Sequence, residues 1–389
     1  MTDRELFYDI VSNSLNHAGE ELCGDEVRIL RTERKSIVVL SDGLGSGVKA
    51  NILARLTASI IVTMLREEAP LKAVIETVLG TLPICKVRRI AYSTFLIIEI
   101  DHATGHFKVT NCDSPEIFFL HDDTCVALEH RKETILGKEL RFCEGQLGPG
   151  DFLAAASDGV IHAGVGIMMN FRWGRKEIAE HLCQAHPSRA VSAERLVRSV
   201  MQRTSTLCAC QPGDDATLVG ILARRPRRLM VFTGPPLDKS QDGAVAARLM
   251  QFDGRKIVCG GTTTYIVAEH VGEIPRTEPG SARDDVPPFG SLEGVDLITE
   301  GMITMAKSLQ LLLDCKGDAG RLPPHRNGAV LLARELLQAD SIHFLVGQQV
   351  NPYYQNPLLP RNISIRRYLV EQIATLLQNY RRNVVIDWL

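Results

Sequence analysis

No excess of either charge marks this chain: 46 acidic residues stand against 44 basic ones in a length of 389. Such a balance gives no global field for drawing in nucleic acid or an anionic membrane, so any recognition has to be local. The opening residues, "MTDRELFYDIVSNSL", lack a basic stretch followed by an apolar core and a small-residue cleavage site. No run of about eighteen uninterrupted apolar residues occurs. A cytoplasmic protein with no nucleic-acid or membrane partner is therefore expected. Internal repeats, low-complexity tracts, a Gly-Lys-Ser/Thr phosphate loop and the G-x-G-x-x-G fingerprint are likewise missing. The ten cysteines form no disulfide framework. Those in apolar runs (Cys112, Cys125, Cys259) read as reduced, packed thiols, and the spacing of Cys183/His186 and Cys208/Cys210 is poor for zinc.

What remains is a globular composition, 45% apolar and 23% charged, long enough for two domains. The basic, proline-containing "LARRPRR" at 222–228 is the linker candidate, giving domains 1–223 and 228–389. In the first, β-branched and aromatic runs such as "KSIVVLS", "STFLIIEID", "HFKVTNC", "EIFFL", "DFLAAAS" and "DATLVGIL" predict strands of a mainly antiparallel sheet. Between them a helix is expected over 48–65, with Ile52, Leu53, Leu56, Ile60 and Met64 on its core face. Further helices are expected after Pro70 and over 174–184 and 192–204. The class is α+β, helices packed on a sheet sandwich. Beyond 228, strand and helix take turns, which predicts a smaller α/β domain with a mostly parallel sheet. Residues 273–294, rich in Pro, Gly and charge, read as a long surface excursion.

The chemistry sits in acids beside glycines: "CGDE" (Asp25), "SDGLGSG" (Asp42), "AASDGV" (Asp158) and "QPGDDATL" (Asp214, Asp215). One Asp-Gly pair is more often a turn. Several at one sheet edge would repel one another unless cations intervene, and an all-oxygen set selects magnesium or manganese. Two such ions about 3.5–4 Å apart make a hydroxide nucleophile from water and neutralise a phosphoryl group.

Taken with "NCDSPEIFFL" and "GDFLAAASDGV", this series closely resembles the bacterial, SpoIIE-like branch of the metal-dependent type 2C serine/threonine protein phosphatases, over about residues 20–222. The resemblance implies a β-sandwich with flanking helices in α-β-β-α layers and two Mn2+ or Mg2+ ions. The implied substrate is a phosphorylated signalling protein such as an anti-sigma-factor antagonist; homodimerisation is left open. It assigns Asp42 as the bridging carboxylate, Gly43 as a main-chain carbonyl ligand, and Asp25 as the acid supporting the first metal. Asp158 and Asp214 go to the second metal, with Asp215 supporting from behind. Ser46 stands where many relatives have histidine, and no phosphate-binding arginine is found near the N-terminus.

The flap-like "GVIHAGVGIMMNFRWG" after Asp158 reads first as packing. In the second domain, "CGGTTTYIVAEHVG" reads as a tight strand-to-helix turn with Thr262 to Thr264 as the cap, with an anion pocket at Gly260 and Gly261 as the other possibility. Glu269, His270, Asp296 and Glu300 have no compelling spacing. The competing function is a catalytically silent phosphatase-like scaffold whose C-terminal domain binds a ligand or signalling partner.

Overall fold

The computed structural model describes residues 5–81, 93–165, 173–185, 192–349 and 365–389, and the chain divides into two compact units, Met1–Arg225 and Pro226–Leu389. The first unit contains strands β1 (Phe7–Leu15), β2 (Asp25–Arg31), β3 (Lys35–Gly43), β4 (Ser93–Asp101), β5 (His106–Cys112), β6 (Phe118–His121), β7 (Thr124–Val126), β8 (Arg131–Ile135), β9 (Lys138–Gln146), β10 (Phe152–Ala156) and β11 (Ala216–Arg224). Its helices are α1 (Gly47–Arg66), α2 (Leu71–Thr81), α3 (Asp158–Ile161), α4 (Arg175–Ala185) and α5 (Ala193–Leu207). Two antiparallel sheets form, in the orders β2-β3-β4-β5-β9-β8 and β1-β11-β10-β6-β7.

The period of two along each strand divides its residues between two covered faces. In β3, Val38 and Leu40 join Leu96, Ile98, Leu153, Val219 and Ile221 in the core between the sheets. Ile37 and Val39 point the other way, into a layer with Ile61 and Leu65 of α1 and Val74 and Val78 of α2. On the outer face of the second sheet, Phe152, Leu218 and Leu222 pack against Leu196, Val200 and Met201 of α5. These are the α-β-β-α layers that the resemblance implies, and burial on both faces explains why "SIVVL" has no polar alternation.

The helix over 48–65 is present with its face rotated in part from the expected one: Leu53, Ile60 and Met64 pack at the edge of the core. Its buried residues include Ala50, Ala54, Ala58, Ile61 and Leu65, whereas Ile52 is 58% and Leu56 45% exposed. Small side chains win the inner face because the main chain comes very close: a Cβ on Gly43 would stand 2.1 Å from the Ala50 carbonyl oxygen. By length and composition α1 is apolar enough to cross a membrane, and its alanine face is packed in the core. Strands β1, β2 and β7 to β9 were not foreseen; β8 and β9 are charge-rich, with Lys132 paired to Glu139 across them. The turn between β4 and β5 is as expected, with Thr104 donating to Asp101 Oδ1.

The second unit holds β12 (Arg228–Thr233), β13 (Arg255–Cys259), β14 (Arg276–Thr277), β15 (Gly290–Leu292), β16 (Val295–Thr299), β17 (Ser341–Val346) and β18 (Asn383–Trp388), with helices α6 (Asp242–Met250), α7 (Gly261–Val271), α8 (Met302–Cys315), α9 (Gly328–Gln338) and α10 (Ile365–Asn379). Its sheet runs β14-β15-β16-β13-β12-β17-β18. The strands β16, β13, β12, β17 and β18 are parallel neighbours, and β14 and β15 are antiparallel at one edge. The stretch at 273–294 is thus not only an excursion: it supplies that edge and buries Val286, Phe289 and Leu292.

The helix face is open to test by urea unfolding. Ala54→Leu is expected to cost about 1–3 kcal/mol through overpacking, and Leu56→Ala less than about 0.5 kcal/mol. The reverse order would restore the face read from the apolar spacing.

Candidate metal centre at the mouth of the sandwich

Strand pairing places the first two acids. Residues of β2 and β3 pair so that Asp25 lies directly opposite Asp42, and by the period of two Asp42 continues the inward row of Val38 and Leu40. The apolar core therefore ends in carboxylates where the sandwich opens. From the other sheet, Asp158 follows β10 and begins α3, while Asp214 and Asp215 lead into β11. The two ends are fastened together: Ser157 N–H donates to the Thr217 carbonyl at 2.9 Å, and Thr217 N–H to Ser157 Oγ at 2.8 Å.

Three glycines let these segments meet. A Cβ on Gly159 would lie 2.2 Å from the Asp215 carbonyl oxygen, and one on Gly24 2.7 Å from Asp215 Oδ2. Gly43 donates its N–H to the Gly24 carbonyl at 3.1 Å and, as above, faces Ala50. Past it, Gly45 and Gly47 adopt left-handed φ of 96° and 69°, which L side chains resist, and the chain turns into α1. Asp42 is not at a strand terminus as such: β3 continues through Gly43.

The acids fall into a floor and a rim. Asp25 and Asp215 are 5% and 3% exposed; Asp158 and Asp214 are exposed, with Asp42 between. Both carboxylate oxygens of Asp25 and Oδ2 of Asp215 are buried without a hydrogen-bond partner. Asp215 Oδ1 accepts from His17 N–H at 2.9 Å, and Asp214 Oδ1 accepts from Asp215 N–H at 2.9 Å. Burial first, and then the charges of Asp25, Asp158, Asp214 and Asp215, push the Asp42 carboxyl up to about 9. Burial likewise pushes Asp25 up to about 7, helped by Asp215 and Asp158. The hydroxyls of Ser157 and Thr217 pull the other way, though neither reaches Asp25 with hydrogen-bond geometry. Asp214 is raised by burial and by Asp158.

Asp42 thus feels the four other acids, yet they are neighbours rather than a closed cage: among the described residues no three His, Cys, Asp or Glu side chains form a ready ligand group. Unpartnered buried oxygens and an all-carboxylate set fit a hard divalent cation. Beside the rim lies a cleft of about 190 Å³ lined by Asp158, Gly159, His162, Gly164, Cys208 and Asp214.

Several residues here had no sequence signal. His17 holds Asp215 through its main chain, and its ring Nδ1 is buried without a partner. Asn51 donates to the Cys23 carbonyl at 2.7 Å. Ser46 donates to Glu20 Oε1 at 3.4 Å. In "NCDSP", Asn111 Oδ1 accepts from Ser114 N–H, and its amide donates back to the Ser114 and Pro115 carbonyls. Of the flap, Trp173 is buried and donates to the Val160 carbonyl at 3.0 Å; Phe171 and residues 166–172, like His186, lie outside the described residues.

Residues 32–224 match the model of the stage II sporulation protein E (SpoIIE) family. Among solved structures, the chain is similar to the PP2C phosphatase domain with a fragment of the regulatory domain of the cell fate determinant SpoIIE from Bacillus subtilis, at 18% identity and a TM-score of 0.49. That match covers 57% of this chain and 65% of the other, just under two thirds of its length. It is also similar to the RsbU and RsbW domains of Rv1364c from Mycobacterium tuberculosis, at 19% identity, a TM-score of 0.46, and coverage of 62% and 67%. A third is RsbX in complex with magnesium, at 17% identity, a TM-score of 0.41, and coverage of 56% and 95%. No curated protein matches the chain.

The raised carboxyls set a pH dependence. Both folded values lie above the ordinary 3.8, so protonation favours the metal-free fold. That contribution is complete below the ordinary 3.8 and is lost as pH rises above it, the Asp25 part being gone by about 7 and the Asp42 part by about 9. In EDTA, Tm should fall from acid pH up to about 9, Asp25→Asn should make the fall below about 7 shallower, and millimolar Mn2+ should reverse it. A Tm flat with pH and indifferent to Mn2+ would contradict the cluster.

Proposed function

We propose that the first unit is a metal-dependent phosphatase that hydrolyses phosphoserine or phosphothreonine in a partner protein. Two Mn2+ or Mg2+ ions would be held by Asp25, Asp42, Asp158, Asp214 and the Gly43 carbonyl. One observation carries the reading: carboxylates from both sheets converge at one mouth, where buried oxygens of Asp25 and Asp215 have no donor and Asp42 feels all four others. When bound, the ions supply an activated water and positive charge for the phosphoryl oxygens.

The residues divide the remaining work. Asp42, between floor and rim and in the field of the four other acids, would be the carboxylate common to both ions. Asp25 anchors from the floor, with Asp215 fixed behind it by His17 N–H. Asp158 and Asp214 border the cleft, so a phosphorylated side chain enters over them. The absence of a closed ligand group among the described residues is what favours a catalytically silent scaffold instead. Against it stands the full set of mutually repelling acids, costly to keep without a cation. The substrate class we infer is a cytoplasmic signalling protein, with anti-sigma-factor antagonists as the example that the family suggests.

Asp42→Asn should lower kcat/KM for Mn2+-dependent hydrolysis of a phosphopeptide by about 100-fold or more while circular dichroism stays that of the unaltered protein. Full retained activity would sink the assignment.

A further inference from the structure

The second unit places a cation, without a carboxylate partner among the described residues, where its sheet changes direction. From the central β12, the chain moves outward through β13 and β16, then returns to the other side of β12 for β17 and β18. In a doubly wound sheet, ligands bind in the crevice outside the carboxyl ends of the strands at this reversal. The strands β12, β13 and β17 each run straight into a glycine, Thr233-Gly234, Cys259-Gly260 and Val346-Gly347, and β16 reaches one two residues on, at Gly301.

Arg366, the second residue of α10, fills the reversal. A Cβ on Gly234 would lie 2.2 Å from its Nη1, and Nη1 donates to the carbonyls of Gly347 at 2.9 Å and Gln349 at 3.1 Å. No carboxylate of the described residues offsets its charge; burial alone lowers its pKa. Residues 350–364 contain no Asp or Glu, so the adjoining segment supplies no carboxylate either. A cation in the first turn of a helix is also unfavourably placed against the helix dipole, and an anion there is favoured. The half-buried guanidinium thus has main-chain carbonyls as partners but no opposite charge among the described residues, which leaves an anion favoured beside it.

Neighbouring positions on this edge sharpen the ligand class. At the start of α8 the chain's own Glu300 accepts from the N–H groups of Met302, Ile303 and Thr304, so that place is taken. The expected threonine cap of α7 is not formed: Gly260, at φ 115°, is the cap residue and no side chain caps the helix. Thr263 Oγ1 instead accepts from Gly234 N–H at 2.9 Å, tying the start of α7 to the glycine against which Arg366 lies. Leu237, Tyr265 and Ile303, which lie in the loop after β12 and in the first turns of α7 and α8, are 65%, 71% and 45% exposed. An anion joined to a flat, partly apolar group suits such a rim better than a bare ion.

We propose that the second unit binds an organic phosphate of the nucleotide class at the carboxyl edge of its sheet, with Arg366 as its charge partner. The test uses the full chain in EDTA, so that the acidic centre holds no metal, titrated calorimetrically with ATP, ADP, AMP, adenosine and inorganic phosphate. At least one nucleotide should bind saturably, tighter than adenosine or phosphate. Arg366→Gln should weaken it about tenfold or more, and Arg367→Gln, one residue along, should not. If Arg366→Gln fails to fold by circular dichroism, Arg366→Lys decides, with an expected loss of about fivefold from the missing fork geometry. No nucleotide binding, inorganic phosphate binding as tightly as any nucleotide, or affinity unchanged in a folded Arg366 variant overturns the proposal.

Discussion

Asp25 faces Asp42 across an antiparallel strand pair, and like charges directly opposite are destabilising. The rest of the first unit is arranged around that repulsion. The inter-sheet core of Val38, Leu40, Leu153 and Val219 fixes the register of β3 and β11, because a slip of one residue would turn every inward side chain outward. The same register delivers Asp42 and Asp215 to the open end. The helices then clamp the strands from outside, α1 through a face of alanines that brings it against Gly43. The core packing thus holds mutually repelling acids together at one end of the sandwich, and that arrangement is what the proposed metal centre rests on.

How much of this could be read from the sequence differs by element. The acids were legible because each stands beside a glycine, and the structure gives that pairing a cause: at Gly24, Gly43 and Gly159 a Cβ would strike a neighbouring acid-bearing segment or helix. Strands buried on both faces were legible as continuous apolar runs. The edge strand β8 and its neighbour β9 were not, since exposed charged residues there pair across the ladder instead of packing. The face of α1 was misread in part because the largest apolar residues were taken as the core, whereas close approach to the sheet demands the smallest. The floor-and-rim division of the acids had no sequence signal, since Asp214 and Asp215 differ only in which way the strand that follows turns them.

The second unit shows the same logic with the sign reversed. Its parallel sheet was legible in the alternation of strand and helix, but its strand order was not, and only the order locates the reversal beside Arg366. The threonines after Gly260 looked like a cap because cap residues are chosen by type; in the fold Thr263 is used to receive Gly234 N–H.

The central claim is that Asp25, Asp42, Asp158 and Asp214 form one binuclear centre, and electron paramagnetic resonance of the Mn2+-loaded protein tests it most directly. The account predicts two ions per chain with the signal of an exchange-coupled pair, lost in Asp42→Asn. An uncoupled single-ion spectrum at saturation, or no bound manganese at all, would contradict it.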